Sequence, residues 1–216
     1  MAKYLLSTIV LVLAGCMAAE AALVSWDEFL HAITSNGYPT PRRDQYNAFV
    51  HRLPTGSINN KVEAAMFLAQ ILWESGGLRY KRELICIKTG CPGVYDSSVG
   101  IPGKNYYGRG YIQLTHSYNY KAASLALYND LRLIQNPEIV ADNEDAAWAT
   151  AFWFWKVNVH NRGGVKAHAF GDATRAINGM ECTRNLPAAH SRFNIYRKVL
   201  QSFHIGQQPN EHGCYN

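Results

Sequence analysis

Runs of basic residues are absent, although the 216-residue chain carries a net charge of +5. The nearest approach is the pair Arg42-Arg43. Phosphate-backbone binders concentrate Lys and Arg on one element, so no nucleic-acid partner is expected. The chain has no Gly-x-Ser-x-Gly elbow for a serine hydrolase and no Gly-Lys-Ser/Thr after its paired glycines for a phosphate loop. His116, His160 and His168 lack metal-ligand spacing, so no metal site is expected. Repeats, low-complexity tracts and Pro/Gly/Ser linkers are missing from residues 22–216, which excludes an array and predicts one domain there. Alternating apolar–polar stretches of strand length are scarce beyond Tyr111 to Leu114, so the expected class is mainly α. Charged residues supply 17% against 48% hydrophobic, a globular balance and not a disordered one.

What is present begins with a targeting segment. Lys3, the apolar run Tyr4 to Ala14 and the small residues around Ala19-Glu20-Ala21 read as a signal peptide over residues 1–21, with a mature start near Ala22. The run is too short for a stable membrane span. A secreted, extracellular protein is expected. Leu13-Ala14-Gly15-Cys16 also fits a bacterial lipoprotein signal, which would leave the chain lipid-anchored through Cys16. Either way Cys16 accounts for an odd count of five cysteines. The remaining Cys86, Cys91, Cys182 and Cys214 permit three connectivities. Local pairing is expected: Cys86–Cys91 around a small loop containing Gly90, and Cys182–Cys214 tying the C-terminal tail to the body. Export makes disulfides the expected state of these thiols.

Helix signals punctuate the chain. Ser25 with Glu28 reads as a capping box for a helix ending at Gly37. Thr40-Pro41 reads as the start of a second, running to about Leu53. Asn60 with Glu63 opens a third, whose Val62, Ala65, Met66, Ala69 and Leu72 or Trp73 form an apolar stripe stopped by Gly76-Gly77. Residues 78–105 read as a long loop, and loops of that length in compact domains are more often functional than not. Another helix starts near His116. Asn143 opens the most apolar one, ending at Trp155 and expected to be the buried centre. The last spans roughly 188–203.

Two carboxyls stand out. Glu74 lies at the C-terminal end of an apolar helix beside Trp73, where the helix dipole and apolar surroundings both raise a carboxyl pKa, as a general acid requires. Glu83 follows nine residues later. On one continuous helix the two would be roughly 13 Å apart along the axis and on opposite faces, but Gly76-Gly77 lets the chain turn back. Inverting glycosidases place such a pair about 6.5–9.5 Å apart with a water between. By spacing alone, two glutamates flanking a helix end are ordinary surface residues. The segment YYGRGYIQLTHSYNY, residues 106–120, interleaves rings with Gln113, Thr115, His116, Tyr118 and Asn119, the mixture a sugar site uses. It would equally serve as a tight turn feeding a helix.

Taken together, Trp73-Glu74-Ser75-Gly76-Gly77, Glu83, YYGRGYIQLTHSYNY, Trp153-Phe154-Trp155 and Ala176-Ile177-Asn178-Gly179 with Glu181-Cys182 resemble the family 19 chitinases over about residues 25–204. The nine-residue gap between the glutamates resembles the compact bacterial-type members. The resemblance implies a lysozyme-like, two-lobed helical domain over 22–216 with a substrate cleft. It also implies endo-cleavage of β-1,4-linked N-acetylglucosamine with inversion, acting on chitin or chitooligosaccharides as a monomer. On that resemblance Glu74 is the general acid, Glu83 the general base, and Thr115 the hydroxyl that positions water. Gln113, Tyr118, Asn119 and Asn178 would bind sugar, with Tyr107 joining them. Glu181 and Arg192 would form a charged network behind the acid. No metal or organic cofactor is implied.

Three departures stand out against that pattern: Trp73 replaces a usual His before the acid, Tyr111 replaces a usual Pro, and a Cys-rich chitin-binding module is lacking. Two alternatives follow. An endolysin-like peptidoglycan hydrolase shares the chemistry and would suit the basic charge. A catalytically weak chitin-binding protein would keep the cleft and draws support from Trp73.

Overall fold

The computed structural model describes residues 22–216. The expected signal segment, Cys16 included, lies outside them. Ser25 Oγ accepts from the Glu28 N–H at 3.2 Å, and Glu28 Oε2 accepts from the Ser25 N–H at 2.8 Å. This reciprocal cap opens α1, Trp26–Thr34. Helix α2, Arg43–Arg52, starts two residues after the position read from Thr40-Pro41. Arg42 is still extended (φ −83°, ψ 156°), and its N–H donates to Gln45 Oε1 at 2.8 Å, so the start is set there and not at the proline.

Asn60 Oδ1 accepts from the Glu63 N–H at 2.9 Å and opens α3, Lys61–Glu74. Every residue from Ala64 to Leu72 is buried. Gly76 and Gly77 then turn the chain back in the left-handed region (φ 57° and 76°), as the paired glycines predict. The long loop after them holds only a short 3-10 turn, Leu84–Cys86. Next come α4, Ser117–Tyr128, and the single turns α5, Arg132–Gln135, and α6, Ile139–Asp142. The apolar helix opened by Asn143 is α7, Glu144–Phe154, and it runs on into a π-turn, Trp155–Val159. A third single turn is α8, Gly163–Lys166. Helix α9 is Phe170–Thr183 and α10 is Pro187–Ser202.

The centre expected of α7 alone is shared with α3. Phe67 of α3 and Phe152 of α7 stack with centroids 4.3 Å apart, inside one apolar cluster that extends from Val24 to Phe203. Helix α10 lies along α3 and α9, while α2 and α4 lie against α7. With α3 clasped from both sides, its final residues Trp73 and Glu74 are fixed in position.

Tyr111 to Leu114 is not a strand. Gly110 and Gln113 both have positive φ (72° and 53°), so the chain folds over and Leu114 returns to Arg109. Those two residues exchange both backbone hydrogen bonds, at 3.1 and 2.8 Å. The fold is mainly helical, with isolated bridges only among the described residues. The disulfides follow the expected local pairing, Cys86–Cys91 (Cα–Cα 5.0 Å) and Cys182–Cys214 (4.6 Å). Among the described residues no helix is long and apolar enough to cross a membrane.

Candidate active site

Four stretches far apart in sequence meet in a cleft of about 1010 Å³. The end of α3 supplies Trp73 and Glu74. The loop and turn that follow supply Glu83, Tyr95, Gly108, Gln113, Thr115 and His116, and the first turn of α4 adds Tyr118 and Asn119. The other side consists of Phe154 and Asn158 from the end of α7 and its π-turn, and Ile177, Asn178 and Met180 from α9. Both glutamates singled out from the sequence therefore face one cavity.

Glu83 is held by a short backbone pairing. Its N–H donates to the Gly108 carbonyl at 2.8 Å, and the Gly110 N–H donates to the Lys81 carbonyl at 3.0 Å. The carboxylate accepts on both oxygens: from the Tyr95 hydroxyl at 2.8 Å and from the Gly108 N–H at 3.1 Å. Two aimed donors suit an acceptor that works as an anion. Burial, and then Glu83 itself, push the Tyr95 hydroxyl up to about 12, so Tyr95 stays a donor at neutral pH. The Tyr95 ring meets His116 edge-on at 5.5 Å, and His116 stacks on Tyr118 at 5.2 Å. Gln113 Nε2 donates to the Gly110 carbonyl at 3.0 Å, and Asn119 Nδ2 donates to the Thr115 carbonyl at 3.0 Å. Those bonds fix both amides at the cleft wall.

Glu74 belongs to a different environment. Its Oε1 lies 2.6 Å from Arg192 Nη2. Arg192 is 1% exposed and also grips Glu181 with Nε at 2.7 Å and Nη2 at 2.8 Å, while Nη1 donates to Gln70 Oε1 at 2.9 Å. Gln70 Nε2 donates on to Thr174 Oγ1 at 2.9 Å, and Asn178 Nδ2 donates to Glu181 Oε1 at 2.9 Å. One guanidinium thus serves two carboxyls, and Glu181 has the two-pronged share. With both ionised the buried trio would carry a net negative charge, and a proton on Glu74 removes it. Burial pushes the Glu74 carboxyl above its ordinary range, Arg192 pulls against the rise, and Glu181 adds to it.

Of the remaining residues named from the sequence, Tyr107 lies away from the cleft. Its ring is covered by the Arg109 guanidinium at 3.6 Å, its carbonyl accepts from the Tyr120 hydroxyl at 2.7 Å, and it lines a separate recess of about 220 Å³. The glycine turn that carries Gln113 into the cleft leaves Tyr107 outside the cleft lining. Asn178 sits at a kink in α9 (φ −144°, ψ 81°), which turns it toward Glu181. Gln70, Thr174 and Tyr95 were not foreseen. Gln70 is one amide in an apolar helix and gains a role only through Arg192, and Thr174 gains one only through Gln70.

Residues 44–186 match the family model described as chitinase class I, glycoside hydrolase family 19. Two endochitinases of Arabidopsis thaliana are 42% identical over 146 residues, covering 67% of this chain and 49% of theirs, and 44% identical over 138 residues, covering 63% and 46%. The chain thus spans about half the length of these relatives. Among solved structures, chitinase C from Streptomyces griseus superimposes with a TM-score of 0.72 at 30% identity, covering 90% of this chain and 99% of that one. The class IV chitinase from Zea mays gives 0.69 at 28% identity, covering 87% and 96%. On the family-model match, the chain belongs to glycoside hydrolase family 19, the class I chitinases.

Proposed function

We propose that residues 22–216 form a single exported, monomeric catalytic unit that hydrolyses β-1,4-linked N-acetylglucosamine in chitin or its oligosaccharides, inside the chain and with inversion. The observation that carries the reading is the pairing of two carboxyls in opposite settings on one cleft. Glu74 is desolvated and shares the Arg192 guanidinium with Glu181, whereas Glu83 accepts from a hydroxyl and an N–H. Such divergence is how two carboxyls divide acid and base work at one pH. Glu74 donates its proton to the glycosidic oxygen as the bond to the anomeric carbon breaks. Glu83 takes a proton from the water attacking the opposite face, with Thr115 holding that water. The interleaved amides and rings of Gln113, Tyr118, Asn119 and Asn178 meet sugar hydroxyls and C–H faces. Glu181 and Arg192 fix the acid.

The test is rapid chromatography of products from a chitin hexasaccharide, resolving anomers, with Glu74→Gln and Glu83→Gln alongside. Wild type is expected to release fresh α-anomer. Each variant is expected to lose at least about 10²-fold in kcat, the usual contribution of a positioned acid or base, while keeping oligosaccharide binding. Near-normal rates in either variant would remove that residue's role. Binding without cleavage by wild type would leave a chitin-binding protein, and lysis of bacterial walls with no action on the hexasaccharide would move the substrate to peptidoglycan.

A further inference from the structure

Acid–base chemistry leaves one side of the cleft unexplained. Beside Asn158 and Asn178, the side of the cleft that carries Glu74 holds four apolar side chains, Trp73, Phe154, Ile177 and Met180, with Met180 56% exposed. Trp148 and Trp155 are fully buried, and Trp155 gives its Nε1–H to Glu63 at 2.8 Å. Trp73 is only half-buried and faces the cavity. Its orientation is fixed, because the Arg192 guanidinium stands 5.8 Å from the ring centroid while pairing with Glu74 at 2.6 Å. One buried cation therefore sets the direction of both the acid and the indole. An aromatic face held beside an acid, with the aliphatic side chains of Ile177 and Met180 lining the same cleft, matches a pyranose ring that presents its C–H face and carries an uncharged apolar substituent.

We propose that Trp73 is a substrate-contacting, specificity-determining residue whose indole face stacks on the N-acetylhexosamine ring bound next to Glu74, with Ile177 and Met180 receiving that sugar's acetamido methyl. This rests on the chitinase reading above. Stacking that is equal in ground and transition states changes KM and leaves kcat, which separates it from a role in holding the fold.

The experiment measures kcat and KM of wild type, Trp73→Phe, Trp73→His and Trp73→Ala on chitin hexasaccharide. It adds the change in tryptophan fluorescence when the same hexasaccharide binds Glu74→Gln and the double variant Glu74→Gln/Trp73→Phe. The Ala variant is expected to raise KM about tenfold, equivalent to about 1.4 kcal/mol, with kcat within about threefold of wild type. Phe is expected to stay within about threefold in KM, with His between the two, so His carries the test if Ala fails to fold. The fluorescence change is expected in Glu74→Gln and lost in the double variant. An unchanged KM in both Ala and His, or a fluorescence change that persists in the double variant, overturns the proposal and leaves hydrolysis intact. Trp73-dependent fluorescence without any wild-type cleavage overturns the hydrolytic reading and keeps the contact. Neither binding nor cleavage overturns both.

Discussion

A methyl group at residue 108 would strike the base side of the cleft. An added Cβ at Gly108 would stand 2.8 Å from Gln113 Oε1 and 3.3 Å from Glu83 Oε2, the oxygen that the Gly108 N–H holds at 3.1 Å. Gly108 has no left-handed φ, so Gly108→Ala strains side chains and not backbone. We expect it to lower kcat on chitin hexasaccharide at least about tenfold, since misplacement by about 1 Å can cost 10²-fold. The melting temperature should change by no more than a few degrees. A rate within twofold of wild type would mean the carboxylate relaxes freely and is not positioned by this loop. At this scale the sequence was informative where a residue carries its own chemistry: Glu74 at a helix end, Glu83 past a glycine stop. It was silent on Gln70, which sits among Ala69 and Ile71 as one amide in an apolar helix and gains meaning only through Arg192, 122 residues away. A motif names residues without saying which face of a tight turn each one takes, so the place of Tyr107 outside the cleft lining could not be read from it.

Elements were legible where local rules decide them and obscure where tertiary contacts do. The caps of α1 and α3 and the glycine stop after α3 follow from nearest neighbours. Helix α9 was not foreseen, because Gly171 and Gly179 interrupt its pattern and Asn178 kinks it; it is held instead by α10 and by the C-terminal tail. That tail is fastened at several points. The Phe170 N–H donates to the Asn210 carbonyl at 2.8 Å, Arg175 Nη2 donates to the Cys214 carbonyl at 2.9 Å, and Cys214 bonds to Cys182 next to Glu181. The two disulfides differ in the chain they close, with sequence separations of 5 and 32. Loop-closure entropy gives about 2 kcal/mol for the shorter and about 4 kcal/mol for the longer. Replacing Cys182 and Cys214 with serine should therefore lower the melting temperature about twice as far as replacing Cys86 and Cys91. Scanning calorimetry of both pairs checks the order, and a larger drop for the 86–91 pair would show that the tail contributes less than its anchors imply.

For the whole molecule, stability should turn on pH through two opposed sets of glutamates. Against the opposing effect of burial, Arg109 and Arg82 hold Glu138 below the ordinary value of 4.5, and Lys61 with the Ser25 cap does the same for Glu28. The stability these two contribute is present above 4.5 and is lost as pH falls through their lower folded values. Glu74 runs the other way. Burial raises it above 4.5, with Arg192 opposing, so the folded protein holds this proton more tightly than the unfolded chain does. Its contribution is complete below 4.5 and is lost as pH rises through the raised value. Glu74→Gln keeps a carbonyl oxygen for Arg192 and cannot ionise. Its melting temperature minus that of wild type should therefore be flat below pH 4.5, climb above it, and level off once pH has passed the raised value, while Glu138→Gln should flatten only the acid side. The same titration would set the alkaline limb of kcat/KM for hexasaccharide cleavage, because the acid must enter the reaction protonated. If the two melting curves stay parallel above pH 4.5, Glu74 is ionised throughout, and the proton for the leaving oxygen has to come from elsewhere in the cleft.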